Sequence, residues 1–245
     1  MTIQELFNSI RSTIEQENYA QLKEIKIFKP EKFNWVRDIF ETHNVAQLGN
    51  QKGLIWKYND QREDYTFKDL SIKYNQFLNY LRKNGIKQGD KMFSQVPLLP
   101  ITWSGYLASI KGGLIIIPAA TTLEARDLAF RFESSFPEVA LADQANASKI
   151  DEAEAKFDQK IKIKLITEGE REGWINVNEL WNEATEAEAA ETYSDDDLFY
   201  FFTSGTTGMP KVVVHTHFTY PVGGFTTSSW VGMKPGDVHY NISQP

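Results

Sequence analysis

The sequence predicts an α/β fold with a largely parallel β-sheet covered by helices. Three observations lead there. Short strand-like apolar runs alternate with helical runs from about residue 64 onward. The runs Leu114 to Pro118 and Leu198 to Phe202 are continuously apolar, as strands buried on both faces are. Caps and glycine stops punctuate the helical runs where helices should begin and end.

Taken in order, Thr2 and Glu5 are spaced for a capping box, and Leu6, Ile10 and Ile14 follow at helical spacing, so an amphipathic helix opens the chain. A second helix is expected from Asn34. Gly53 to Tyr58 and Asp64 to Thr66, on either side of the polar stretch Asn59 to Glu63, form a hairpin. The clearest helix starts at Thr66, with Asp69 three residues on. It carries Leu70, Tyr74, Phe77, Leu78 and Leu81 on one face and stops at Gly85. Then follow Lys91 to Val96 as strand, Ile101 to Lys111 as helix and Leu114 to Ile117 as strand. A helix capped by Thr121 or Thr122 runs to about Ser134. Val139 to Ala142 is a strand, Ser148 to Phe157 a helix, and Ile161, Ile163 and Leu165 another strand. Residues 174–197 hold eight Asp or Glu and no Lys or Arg; a solvated linker and helix is expected, with a docking surface the lesser alternative. The division expected is 1–60 (N-terminal helices and start of the hairpin), 61–175 (α/β region), 176–197 (acidic linker) and 198–245.

Composition narrows the function. A net charge of −7 and a pI near 5.2 disfavour a nucleic-acid partner, because phosphate backbones are met by clustered Lys and Arg. The absence of Cys excludes disulfides, thiolate catalysis and Cys-ligated zinc. The N-terminal run mixes acidic and polar residues where a signal peptide needs a basic start and an apolar core, so a cytoplasmic setting is expected. The apolar runs are too short for membrane insertion.

The chemistry sits in Thr203, Ser204, Gly205, Thr206, Thr207, Gly208, Met209, Pro210 and Lys211, between the run ending at Phe202 and Val212, Val213 and Val214. Gly205 and Gly208 permit close backbone approach, so successive N–H groups can converge on an anion. Thr203, Ser204, Thr206 and Thr207 add hydroxyls, and Pro210 stiffens the approach of the Lys211 cation. That set suits a polyphosphate. A plain Thr/Ser/Gly turn is the competing reading. A P-loop with a Gly-Lys-Ser/Thr ending is excluded, since Lys211 follows a proline.

The run from Thr203 to Lys211 resembles the signature of the adenylate-forming superfamily, which includes acyl-CoA synthetases, luciferases and peptide-synthetase adenylation domains. Asp64-Tyr-Thr-Phe-Lys-Asp-Leu70 and Ile110-Lys-Gly-Gly-Leu-Ile-Ile-Ile-Pro118 resemble two further family elements. Phe33 to Asp38, Pro118 to Leu123, Asp127 to Arg131 and Gly236 to Ser243 are most similar to acetyl and medium-chain acyl-CoA synthetases. The resemblance implies ATP and Mg²⁺, then CoA. A small carboxylic or fatty acid would attack the α-phosphate of ATP to give acyl-AMP and pyrophosphate, and the CoA thiol would then displace AMP. It assigns the β- and γ-phosphates to Thr203, Ser204, Gly205, Thr206, Thr207, Gly208 and Lys211, with Thr203 and Lys211 the catalytic pair. The similar synthetases continue well past Gln244-Pro245, into the remaining motifs and a small C-terminal domain, and Gln244 departs from the Asp usual there. The expectation is an N-terminal portion with little turnover alone. A stand-alone ATP- or pyrophosphate-binding module, and a half-enzyme completed by a separate C-terminal chain or present as a homodimer, stay open beside it.

Other candidates are weaker. His215 and His217 would share a strand face, but no third metal ligand lies nearby in sequence, so no metal site is assigned. His43 and His239 have no visible partner. Trp103, Tyr106, Phe130 and Phe132 could line an acyl pocket, but their helical spacing favours core packing. Pro221, Gly223 and Gly224 should weaken any helix begun after the loop.

Overall fold

The computed structural model describes residues 3–26, 28–203, 210–234 and 236–241. The expected Thr2 cap and the loop residues 204–209 lie outside them. Helix α1 (Ile3–Glu15) buries Leu6 and Ile14. The second helix comes with a difference: Val36–Val45 winds with π-helical hydrogen bonds before one α turn, α2 (Ala46–Leu48). The Asn34 N–H donates to the Asp38 carboxylate at 2.8 Å, while its Oδ1 accepts from the Arg37 N–H at 3.3 Å. Strands β1 (Lys52–Tyr58) and β2 (Gln61–Thr66) pair antiparallel, with Tyr58 opposite Gln61. The turn is therefore Asn59-Asp60, tighter than the expected five-residue stretch. It is possible because Asn59 accepts the left-handed φ of 51°.

Helix α3 (Phe67–Lys83) has the expected capping box: the Asp69 N–H donates to Thr66 Oγ1 at 3.0 Å and the Thr66 N–H to the Asp69 carboxylate at 2.9 Å. Its whole predicted apolar face is buried. Strand β3 (Lys91–Gln95), α4 (Pro100–Gly112), β4 (Ile115–Pro118), α5 (Ala125–Ser134), β5 (Val139–Ala142), α6 (Gln144–Glu154), β6 (Ile163–Ile166), β7 (Ile175–Asn176), β8 (Asp197–Thr203), β9 (Lys211–Thr216) and α7 (Thr219–Trp230) follow. The main sheet runs β7-β6-β5-β3-β4-β8-β9, parallel throughout except for β9. Ile115, Ile116 and Ile117 are all buried because helices cover both faces. One face packs on α3 and α4 through Tyr74, Phe77, Leu107, Ile116 and Phe199. The other packs on α5 and α6 through Phe93, Ile117, Leu128 and Phe132.

Two helix starts differ from expectation, both for tertiary reasons. Gln95 Nε2 donates to the carbonyls of Ala120 and Leu123, at 3.1 and 3.0 Å. That holds 120–123 as a turn, and α5 starts two or three residues late, capped reciprocally by Glu124 and Asp127. Helix α6 begins at Gln144 rather than Ser148, because Asp143 at the strand's end accepts the Asn146 N–H at 3.0 Å.

The acidic segment is a strap rather than a free linker. After β7 and a 3₁₀ turn (Val177–Asn182), its carbonyls receive side chains from α3. Gln76 donates to Trp181 O at 2.7 Å, Asn75 to Thr185 O at 2.9 Å, Asn79 to Ala184 O and Glu186 O at 2.8 Å, and Arg82 to Glu188 O at 2.6 Å. Its carboxylates face outward, Glu183 toward Lys83 and Glu191 toward Lys32.

Candidate functional site

The connection after β4 returns to β5 on one side, while that after β8 goes on to β9 on the other. The carboxyl ends of β4 and β8 thus form a topological switch point, where open α/β sheets bind ligands. There β8 turns into β9. Thr203 stands opposite Lys211 as the last pair of the hairpin, and Thr203 Oγ1 faces the Lys211 carbonyl at 3.4 Å. Both side chains are exposed, and among the described residues the Lys211 ammonium makes no ion pair. An alcohol and a cation are therefore presented side by side at the mouth of the loop. Ser204, Thr206 and Thr207, with Gly205 and Gly208, lie outside the described residues.

Strand β8 alternates around this site. Phe199 and Phe201 stack at 5.2 Å on the α4 side, and Tyr200 and Phe202 turn toward α5. The Phe202 ring lies 5.1 Å from the guanidinium of Arg131. Neither Phe202 nor Arg131 stood out in sequence. The only signal for Arg131 was its place in the Asp127 to Arg131 segment, and periodicity cannot show that a helix and a distant strand meet. Helix α7 does form through Pro221, Gly223 and Gly224. Pro221 falls in its first turn, where no backbone donor is needed, and Tyr220 packs on Phe199 at 4.2 Å.

The histidine pair does not form a site. Strand β9 ends at Thr216, so strand alternation does not extend to His217. His215 sits edge-on to Phe201 and Tyr220, at 5.7 and 5.9 Å. His217 is fully buried, donates its N–H to Asp196 O at 3.0 Å, and has no partner for either ring nitrogen among the described residues. Burial pulls its pKa down to about 4. His43 acquires partners: it packs edge-on to Phe7 and receives Arg11, and burial, then the Arg11 charge, lowers its pKa. Among the described residues no group of three or more His, Cys, Asp or Glu could hold a metal. Phe132 is core, packed on Phe93 at 5.1 Å, and Tyr106 packs on Phe199 at 5.8 Å; Trp103 and Phe130 are half-buried. No helix among the described residues is long and apolar enough to cross a membrane.

An open, mostly parallel sheet ending in this hairpin defines the N-terminal α/β domain of adenylate-forming enzymes, of which the chain holds a part. Solved structures agree on the fold. An acyl-CoA synthetase from Brucella canis superposes with a TM-score of 0.74 at 21% identity, over 98% of this chain and 43% of its own. An anthranilate CoA ligase in complex with anthranoyl-AMP gives a TM-score of 0.69 at 25% identity, over 79% of this chain and 36% of its own. The chain belongs to the AMP-binding enzyme family, whose profile matches residues 42–243. It is similar to 4-hydroxybutyrate–CoA ligase 1 of Metallosphaera sedula, at 36% identity over 99% of this chain and 43% of that protein. A mitochondrial acyl-coenzyme A synthetase of Mus musculus is 28% identical over 97% of this chain, again 43% of its own length. The chain thus spans under half the length of these relatives.

Proposed function

We propose that this chain is the N-terminal part of an ATP-dependent acyl-CoA synthetase and that the Thr203–Lys211 hairpin seats the β- and γ-phosphates of ATP. The observation that supports it most is the pairing of exposed Thr203 with exposed Lys211 at the switch point. No protein nucleophile is required. The substrate carboxylate is already ionised near neutral pH, so catalysis consists of aligning it with the α-phosphate and stabilising charge on the departing pyrophosphate. Lys211 supplies positive charge, and Thr203 with the loop hydroxyls and N–H groups supplies donors. When bound, Mg²⁺ neutralises part of the phosphate charge. When bound, CoA would supply the thiol that takes the acyl group, with AMP as the leaving group. The acid is a small carboxylate or fatty acid, and the cysteine-free composition suits a reducing, cytoplasmic setting.

We expect little turnover from these residues alone, the relatives being over twice as long. Binding is therefore the direct test. The chain should bind ATP or pyrophosphate in a calorimeter, and Lys211→Ala should weaken that binding by about tenfold or more, a charged contact being worth roughly 1.5–3 kcal/mol. Equal binding by both proteins refutes the phosphate seat. A second reading, a half-enzyme completed by another chain or a second copy, is supported by β9: Val212, Val213 and Val214 are 39%, 42% and 47% exposed on a sheet edge.

A further inference from the structure

Helix α1 is held to the rest of the fold by a contact that one proton would spoil. His43, on the π-helical segment, is only 6% exposed. Arg11 Nη1 stands 3.2 Å from its Nδ1 and also touches its Nε2, and the Phe7 ring meets the imidazole edge-on at 5.1 Å. Both partners belong to α1. A guanidinium has donors and no acceptor, so it can bond to the imidazole only while a ring nitrogen keeps its lone pair. A protonated His43 would set a second cation against the Arg11 charge in a place largely shut off from water.

The surroundings do little to offset that repulsion. From α1, the Glu15 carboxylate acts on His43, but it already accepts from Arg11 Nε at 2.8 Å. From α2 comes the neutral Gln47 amide. The Tyr74 hydroxyl of α3 and the Lys111 ammonium of α4 reach the same π-helix at Glu41 instead. Burial acts most strongly on His43 and the Arg11 charge next, and both favour the neutral ring. Helix α1 has little with which to resist a weakened contact. It is 13 residues long, a length at which a helix without tertiary contacts is marginal in water, and its buried anchors are Leu6, Thr13 and Ile14.

We propose that His43 is a pH-sensitive clasp for the N-terminal helix: neutral, it keeps α1 docked on the π-helix, and protonated, it lets α1 go. The sign follows from the geometry. With α1 released, His43 is exposed and titrates near its ordinary value of about 6.5, above its value in the docked form. The released form therefore takes up the proton first, and docking weakens as pH falls below about 6.5, by at most about tenfold per pH unit for a single proton. The proposal stands apart from the phosphate-seat reading.

Hydrogen exchange of the α1 amides, followed by mass spectrometry at pH 7.5 and 5.5 and corrected for the intrinsic pH dependence of exchange, tests it. Relative to α3, protection of α1 in the unaltered chain should fall by about three- to tenfold between the two conditions. His43→Gln keeps an amide beside Arg11 and cannot take up a proton, so its fall should be under about twofold. If His43→Gln does not fold, Arg11→Met decides: with the facing cation gone the fall should shrink by at least about a third, and an unchanged fall overturns the proposal. A fall under about threefold in the unaltered chain, or an equal fall in His43→Gln, also overturns it.

Discussion

Lys111→Met tests how the helical layer over the sheet is held. The Lys111 side chain is 4% exposed, and its ammonium reaches Glu41 Oε1 at 2.5 Å and Asn75 Oδ1 at 2.8 Å. The Tyr74 hydroxyl donates to the same Glu41 oxygen at 2.8 Å, so one cation joins the π-helix, α3 and α4. Methionine keeps the volume but strands a carboxylate. Removing one partner of a buried pair costs about 3–5 kcal/mol. Glu41 retains the Tyr74 bond and 28% exposure, which brings the figure to about 2–3 kcal/mol. For a chain of this size that lowers the thermal midpoint by about 5–10 °C, read by circular dichroism. Adding Glu41→Gln removes the stranded charge and should recover roughly half of the loss. A drop of under about 2 °C for Lys111→Met, or a double variant no better than the single, refutes the reasoning.

Two further outcomes follow from the structure. His217 holds its pKa at about 4 against an ordinary 6.5. As pH falls the unfolded chain takes up this proton first, so folded stability should decline from pH 6.5 toward 4, by up to about 3 kcal/mol. Urea titrations across that range should flatten in His217→Leu; an unchanged slope counts against the assignment. On the second reading, in which a further copy covers β9, Val213→Lys places a charge on that exposed edge and should reduce self-association in sedimentation at moderate concentration, with the midpoint shifted by no more than about 1–2 °C. Equal self-association in both proteins removes β9 from the interface.

Much of the fold was legible because its signals are local. The Thr66 and Asp69 box, the buried face from Leu70 to Leu81 and the isoleucines of β4 all report neighbours within a few residues. The late start of α5 was not legible, because a glutamine on β3 holds the preceding turn. Nor was the strap: its acidic composition reads as solvated, and its carboxylates are indeed outward, but its carbonyls are held by amides on α3. Residues Thr203 and Lys211 were singled out from their types and spacing, and the structure adds their register across β8 and β9.

By itself the sequence determined the α/β class and the glycine- and hydroxyl-rich composition of the Thr203–Lys211 run, since strand runs, caps and glycine-hydroxyl loops depend on interactions within a few residues. Only the tertiary structure decided that β8 lies beside β4 to make a switch point, that His215 and His217 part company, and that Arg131 is buried against Phe202. Those pairings join positions tens of residues apart, and which of them form depends on how whole layers pack.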